Sequence, residues 1–113
     1  MNVELLKCML WARDMGRAVA FYRDVIGLSI RVESPWWSEL EKGGFIVALH
    51  AGADEGTRKS GLGIQVEDLE TAVAEAKAGG ATVLAPPRCE GPVHLADLVD
   101  PEGNEFTFSQ LAG

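Results

Sequence analysis

The stretch DMGRAVA at residues 14–20 recurs later in the chain as DLETAVA at residues 68–74. In both copies an Asp and a large apolar residue are followed by Ala-Val-Ala at the same offset. Each copy follows a β-like run and leads to glycine, Gly27 in the first copy and Gly79-Gly80 in the second. This self-similarity predicts an internal repeat of two half-domains, each of about 55 residues. A chance similarity between two Ala-rich helices is the alternative.

Both copies of the repeat have the features of a helix start. Asp14 and Asp68 are suited to the N-cap position, where a short carboxylate accepts from the free N–H groups of the first turn. Apolar residues then recur at three- and four-residue steps and predict helices over 15–26 and 69–78. The predicted apolar stripes consist of Met15, Ala18, Val19, Tyr22 and Ile26 in the first helix and Leu69, Ala72, Val73 and Ala76 in the second. The glycines that follow suit the left-handed position that ends a helix.

The segments around the two helices predict strands and turns. Lys42-Gly43-Gly44 predicts a hairpin turn, and Asp100-Pro101-Glu102-Gly103 predicts a second turn with Pro and Gly in favoured places. The predicted strands cover residues 5–11, 28–33, 37–41 and 45–50 in the first half and 61–66, 82–84, 93–99 and 104–109 in the second. Each half therefore has the order strand, helix, strand, strand, strand.

This order predicts an α+β fold built from two βαβββ modules. A chain of 113 residues is long enough for one compact domain and short for two. We therefore predict a single domain over residues 1–113. Its first module covers 1–50, a polar, glycine-containing linker covers 51–60, and the second module covers 61–113.

Composition and charge exclude several classes of partner. The net charge is −7, and the acidic residues are spread along the chain, so the surface should repel nucleic acid. No window approaches the roughly 18 apolar residues of a membrane span, and the N-terminus lacks the pattern of a signal peptide. Cys8 and Cys89 lack CxxC spacing and favour two reduced thiols in a cytoplasmic protein, while a single disulfide stays open.

Alternation along the strands separates an apolar face from a mixed face. The residues predicted to pack under the helices include Leu6, Cys8 and Leu10, Phe45, Val47 and Leu49, Leu62 and Ile64, and Phe106 and Phe108. The opposite face is either a solvated sheet surface or the lining of a cavity formed when the sheets curl. Met9 and Trp11 are poorly suited to open water. Gly61 and Gly63 leave room for a group close to the backbone.

Two motifs carry a family resemblance. AVAFYRDVIGL at residues 18–28, together with DPEGN at residues 100–104, resembles the vicinal oxygen chelate superfamily. That superfamily includes glyoxalase I, extradiol dioxygenases, fosfomycin resistance proteins and bleomycin resistance proteins. The resemblance covers essentially the whole chain. It implies the glyoxalase/bleomycin resistance fold, with two modules whose sheets curve into a cup, usually in a homodimer. In some members the halves are exchanged between subunits.

The resemblance also implies where a metal would bind in the metal-dependent members. Their ligand positions correspond here to Lys7, Ala48, Gly61 and Thr107, and a shift of two residues in the alignment would bring in His50. A zinc site needs three or four His, Cys or carboxylate donors, and nickel or iron has similar demands. These residues do not supply such a set. We therefore predict no cofactor, with an unrecognised divalent metal site as the alternative.

Without a metal, the resemblance implies a small-molecule-binding protein, which sequesters an antibiotic or another planar amphipathic compound. Flat rings such as those of Trp11, Trp36 and Trp37 stack on planar ligands, although Trp36 and Trp37 could instead serve the core and a dimer contact. The predicted ligand-binding residues are Lys7, Met9, Trp11, Trp36, Trp37, Ala48, His50, Gly61, Gln65, Glu105 and Thr107.

The alternative function is an enzyme of the lyase, isomerase or dioxygenase-like kind. Its candidate acid–base residues are Lys7 and Glu105, since a lysine buried in an apolar cup could act as a neutral amine. Lys7 could equally be solvated or paired with a carboxylate such as Glu105. His94 and Asp97 are three apart on one strand and face opposite ways, so they form no dyad. A third reading is an interaction module without a ligand.

Overall fold

The computed structural model describes residues 1–111 and contains two mixed sheets, each with one helical segment. The elements of the first half are β1 (Lys7–Ala12), α1 (Met15–Ala20), which continues as a π-helical turn (Phe21–Ile26), β2 (Ser29–Val32), β3 (Trp37–Lys42) and β4 (Phe45–Ala51). Those of the second half are β5 (Arg58–Gln65), α2 (Leu69–Ala78), β6 (Thr82–Val83), β7 (Arg88–Glu90), β8 (Val93–Val99) and β9 (Asn104–Leu111). The final residues of the predicted second module, 112–113, lie outside the described residues.

The two sheets repeat the same topology. The first has the order β1-β4-β3-β2 and the second the order β5-β9-β8-β6, with the short β7 paired to β8. In each sheet the first strand pairs in parallel with the last strand of its module, and the remaining pairs are antiparallel. The predicted α+β fold of two βαβββ modules is confirmed. Neither helix in residues 1–111 is long and apolar enough to cross a membrane.

The helices begin and end for the predicted reasons. The carboxylates of Asp14 and Asp68 accept from the backbone N–H groups of Arg17 and Thr71, and so cap the first turns. The first helix ends at Gly27, whose φ of 93° is a left-handed conformation that glycine adopts without strain. Its second half differs from the expectation, because it is π-helical rather than α-helical.

Several predicted boundaries were wrong. β1 begins at Lys7 rather than at Leu5, and Leu6, predicted to pack inward, is 73% exposed. β5 begins at Arg58, so the linker is shorter than residues 51–60. The strand β7 was not predicted, because Arg-Cys-Glu has no apolar alternation to mark it.

The strand β4 is buried on both faces, which the alternation did not predict. Ile46 and Ala48, assigned to the mixed face, are fully buried, whereas Phe45, assigned to the core, is 51% exposed. The reason is the position of β4 inside the sheet between β1 and β3. Its neighbours across the ladder, such as Met9 and Glu39 on either side of Ala48, cover its outer face.

Both modules contribute to one hydrophobic core. The ring of Phe21 lies 6.2 Å from that of Phe106, and Phe106 lies 5.2 Å from Phe108. Edge-to-face aromatic pairs of this kind stabilise a core beyond their buried area. The first helical segment and the last strand are therefore packed directly against each other.

A buried polar turn at residues 100–104 holds the modules together; we call it the polar clamp. The Asp100 carboxylate accepts from the Tyr22 hydroxyl and from the backbone N–H groups of Glu102 and Asn104. Burial, reinforced by the Asp100 charge, raises the pKa of Tyr22 well above its usual range. The Tyr22 hydroxyl thus stays protonated and donates to Asp100.

The polar clamp also binds the segment between β1 and α1. The Glu102 carboxylate, fully buried, accepts from the backbone N–H groups of Arg13 and Asp14 at 2.8 and 2.7 Å and from Arg17 Nε at 2.6 Å. The Asn104 amide donates to the Trp11 carbonyl at 2.7 Å and accepts from the Trp11 N–H at 3.0 Å. The predicted turn is therefore also the main polar contact between modules.

Glu102→Ala should lower the free energy of unfolding by about 2–4 kcal/mol, because the backbone N–H groups of Arg13 and Asp14 and the Arg17 guanidinium would lose their shared buried acceptor. Urea unfolding followed by far-UV circular dichroism measures the change. The matched control is Glu67→Ala at an exposed position, which should change stability by less than about 0.5 kcal/mol. Equal unfolding midpoints for the two variants would contradict the role of the polar clamp.

Candidate functional site

Three aromatic side chains form a continuous row on the face of the first sheet that points away from the helices. His50 on β4 lies between Trp11 on β1 and Trp37 on β3, and it is the cross-strand partner of both. The ring centroids of Trp11 and His50 are 4.5 Å apart, and those of Trp37 and His50 are 5.8 Å apart. Both tryptophans are half-buried and His50 is exposed. We call this row the aromatic strip.

A buried carboxylate with three hydrogen-bond donors adjoins the aromatic strip. Glu39 Oε2 accepts from Lys7 Nζ at 2.9 Å and from Trp37 Nε1 at 2.8 Å, and Oε1 accepts from Arg31 Nε at 3.1 Å. The Glu39 side chain is only 7% exposed. The Lys7 hydrogen bond, followed by that of Trp37, lowers the Glu39 pKa to about 2, against the opposing effect of burial. We call these four residues the Glu39 cluster.

Trp37 belongs to both groups and fixes their relative position. Its indole N–H donates to Glu39, its ring packs edge-on against His50, and Lys7 Nζ lies 5.8 Å from the ring centroid. That distance allows a cation–π attraction. The sheet face therefore presents an aromatic surface that ends at a cationic group.

The second sheet carries a separate cavity of about 430 Å³. Its lining consists of Lys59, Ser60, Gly61, Leu62, Gly63, Leu84, Asp97, Glu105, Phe106 and Thr107. A Cβ added at Gly61 or Gly63 would meet no atom within 4 Å, so the space beside these glycines in the cavity is open. The Asp97 carboxylate accepts from Thr107 Oγ1 and Arg88 Nη1, both at 2.8 Å. These hydrogen bonds, that of Thr107 first, hold the pKa of Asp97 below its usual range.

The residues at the positions that the family resemblance predicts for a metal do not form a suitable ligand set. Lys7 is a cation engaged by Glu39, Ala48 and Gly61 offer no donor atom, and the Thr107 hydroxyl donates to Asp97. No group of three or more His, Cys, Asp or Glu within residues 1–111 is arranged to bind a metal ion. His50, the residue considered for a shifted alignment, packs in the aromatic strip with Nδ1 2.6 Å from the Ala51 carbonyl.

The predicted site residues fall into two groups and a remainder. Lys7, Trp11, Trp37 and His50 meet on the first sheet beside Met9, whereas Gly61, Glu105 and Thr107 line the cavity of the second sheet. The remainder lies elsewhere: Ala48 is buried within the sheet, Trp36 is 75% exposed and stands outside the aromatic strip, and Gln65 lines a separate groove of about 320 Å³.

The Lys7 environment differs from the one required for a neutral catalytic amine. Lys7 is 39% exposed rather than enclosed by apolar side chains. It pairs with Glu39 and not with Glu105, which lies on β9 of the other sheet. His94 and Asp97 do lie on opposite faces of β8, with Asp97 turned toward Thr107.

Glu39 and Arg31 are the residues that sequence reasoning missed. Alternation along β3 places Glu39 on the same face as Trp37, so the sequence contained a signal for Glu39. Arg31 had no such signal. Its strand changes register between Ile30 and Val32, and a bulge of this kind redirects side chains in a way that simple alternation does not describe.

Comparison with known families identifies the class of this protein. Residues 7–109 match the family model described as a glyoxalase-like domain. The chain therefore belongs to the glyoxalase-like family of the vicinal oxygen chelate superfamily. A search of curated proteins gives no match.

Solved structures share the fold over nearly the whole chain. A glyoxalase/bleomycin resistance protein/dioxygenase family enzyme from Burkholderia phytofirmans has a TM-score of 0.81 at 23% identity, covering 96% of this chain and 99% of that one. TioX from Micromonospora has a TM-score of 0.76 at 18% identity, covering 96% and 99%. A lactoylglutathione lyase from Agrobacterium tumefaciens has a TM-score of 0.75 at 20% identity, covering 97% and 95%. At these identities the likeness shows the fold alone.

The Glu39 cluster should make stability depend on pH in the acid range. The Glu39 pKa falls from about 4.3 in the unfolded chain to about 2 in the folded protein. Its stabilisation is therefore fully present above about pH 4.5 and is lost as the pH falls toward 2. Because Lys7 and Arg31 are partly exposed, we expect a loss of about 1–2 kcal/mol rather than the full value of the shift.

Urea unfolding at a series of pH values measures this loss. Glu39→Gln should flatten the decline in stability between pH 4.5 and 2, whereas Glu67→Gln, an exposed position outside the cluster, is the matched control for the substitution. A decline in Glu39→Gln as steep as in the unsubstituted protein would show that Glu39 is not its source.

Proposed function

We propose that this protein is a metal-free small-molecule-binding protein whose ligand is planar and stacks on the aromatic strip. The observation that carries the proposal is the row Trp11–His50–Trp37 on an open sheet face. Tryptophans inside a core bury their faces, whereas these two remain partly exposed, and each packs against His50. Flat, braced rings offer a large contact area to a planar ligand at a small entropic cost.

The residues at the metal positions support binding without a metal. An ion-paired lysine, an alanine, a glycine and a threonine engaged with Asp97 occupy them. The ligand class proposed here is an antibiotic or another planar amphipathic compound, which the protein would sequester without reaction. The acid–base enzyme has less support, because Lys7 is held by Glu39 and lies apart from Glu105.

The proposal includes a homodimer in the cytoplasm. β2 forms an edge of the first sheet, and all four of its residues are exposed, including Ile30 and Val32. An exposed apolar edge strand is a surface that proteins usually protect, and a second copy of the chain in a two-fold dimer would cover it. Cys8 and Cys89 are free thiols, as expected in a reducing compartment.

Substitutions in the aromatic strip test the binding proposal. A thermal-shift screen with planar naphthalene, acridine and anthraquinone derivatives should find compounds that stabilise the protein. Trp11→Ala and Trp37→Ala should weaken binding of those compounds by about fivefold to tenfold, which corresponds to the loss of one aromatic contact. Isothermal titration calorimetry provides the affinities.

Trp36 provides the matched control, because it is adjacent in sequence and lies outside the aromatic strip. Trp36→Ala should keep the affinity of the unsubstituted protein. Absence of any stabilising compound, or an equal loss in Trp36→Ala, would refute the proposed binding surface.

Native mass spectrometry tests the dimer. The expected species has about twice the chain mass of 12.1 kDa. A single species at the chain mass across micromolar concentrations would refute this part of the proposal.

A further inference from the structure

We infer that the ligand of the aromatic strip carries an anionic group, such as a carboxylate or sulfonate, on one edge of its planar ring system. This inference rests on the proposed function and goes further, because it assigns the charge of the ligand. It follows from the hydrogen-bonding capacity that the Glu39 cluster leaves unused.

Both carboxylate oxygens of Glu39 already accept hydrogen bonds within the cluster. Glu39 Oε2 accepts two hydrogen bonds and Oε1 accepts one, and the carboxylate is buried. Glu39 therefore holds its neighbours in place and is poorly placed to accept from a ligand.

The donors of the same cluster are largely unused. Lys7 Nζ gives one of its three protons to Glu39, and Arg31 gives only its Nε–H. Within residues 1–111, the two terminal nitrogens of Arg31 donate to no protein acceptor. Both side chains are 39% exposed. The cluster thus contains two cations and one anion, Glu39. Its unused N–H donors suit an acidic group on the ligand.

The geometry links this donor surface to the aromatic strip. Lys7 Nζ lies 5.8 Å from the centre of the Trp37 ring, so a group attached to a ring stacked on Trp37 would reach Lys7. The cavity of the second sheet is a poorer place for an anion, because Asp97 and Glu105 line it together with Lys59. The first sheet is therefore the favoured binding face.

One acidic residue opposes an anion on this face. Glu41 follows Glu39 on the same side of β3, and its partner across β4 is Ile46, the same residue that pairs with Lys7. Removing the charge of Glu41 should therefore strengthen the binding of an anion, and this provides a test in the opposite direction.

The experiment compares two probes of nearly identical shape, anthraquinone-2-carboxylate and anthraquinone-2-carboxamide, by isothermal titration calorimetry at low ionic strength. The carboxylate should bind about tenfold more tightly, and the difference should shrink in high salt. Lys7→Met and Arg31→Gln should each reduce the ratio of carboxylate affinity to amide affinity to about threefold or less. Lys7→Arg should retain the preference, and Glu41→Gln should increase it.

Binding of anthraquinone-2-carboxamide is the control that each variant is folded and that its aromatic strip is intact. If both probes bind the unsubstituted protein equally, the inferred anion preference is wrong while the proposed function stands. If neither probe binds and no compound of the thermal-shift screen binds, the proposed function fails. A preference that survives both Lys7→Met and Arg31→Gln would also overturn the assignment to the Glu39 cluster.

Discussion

The buried carboxylates and amide of the polar clamp are the contacts on which the arrangement of the two modules depends. Glu102 and Asn104 bind backbone groups at the end of β1 and the start of α1, and Asp100 binds the Tyr22 hydroxyl. Charged and polar groups buried this deeply are stabilising only when each has its partners. The same contacts hold the end of β1 in place. The side chains of Lys7 and Trp11 on β1 lie on the outer face of its sheet.

With the helices held on one side, the outer faces of the sheets carry the candidate site. On the first sheet, Glu39 draws Lys7, Arg31 and the Trp37 indole together, and Trp37 in turn braces His50. Lys7, at one of the positions that the family resemblance predicts for a metal ligand, is instead ion-paired with Glu39. The fold alone does not determine which chemistry such a face performs, and the residues at the site must be considered one by one.

Local patterns in the sequence predicted the fold but only part of the site. The Asp caps, the apolar stripes and the glycines act within a few residues, so the helices and the succession of elements along the chain could be predicted from them. The polar clamp was visible only as a turn, because its partners lie far along the chain in the other module. The burial of Ala48 depends on which strands flank β4, and the role of Arg31 depends on a bulge. Neither feature corresponds to a periodic pattern of apolar and polar residues in the sequence.

The proposed function requires a planar ligand to lie on the aromatic strip of the first sheet. Nuclear magnetic resonance of the three tryptophan indole N–H groups, during titration with the uncharged anthraquinone-2-carboxamide, tests it most directly. We expect the indole signals of Trp11 and Trp37 to shift and that of Trp36 to stay unchanged. Shifts at the backbone amides of Gly61 and Gly63, with Trp11 and Trp37 unmoved, would contradict it and place the ligand in the cavity of the second sheet.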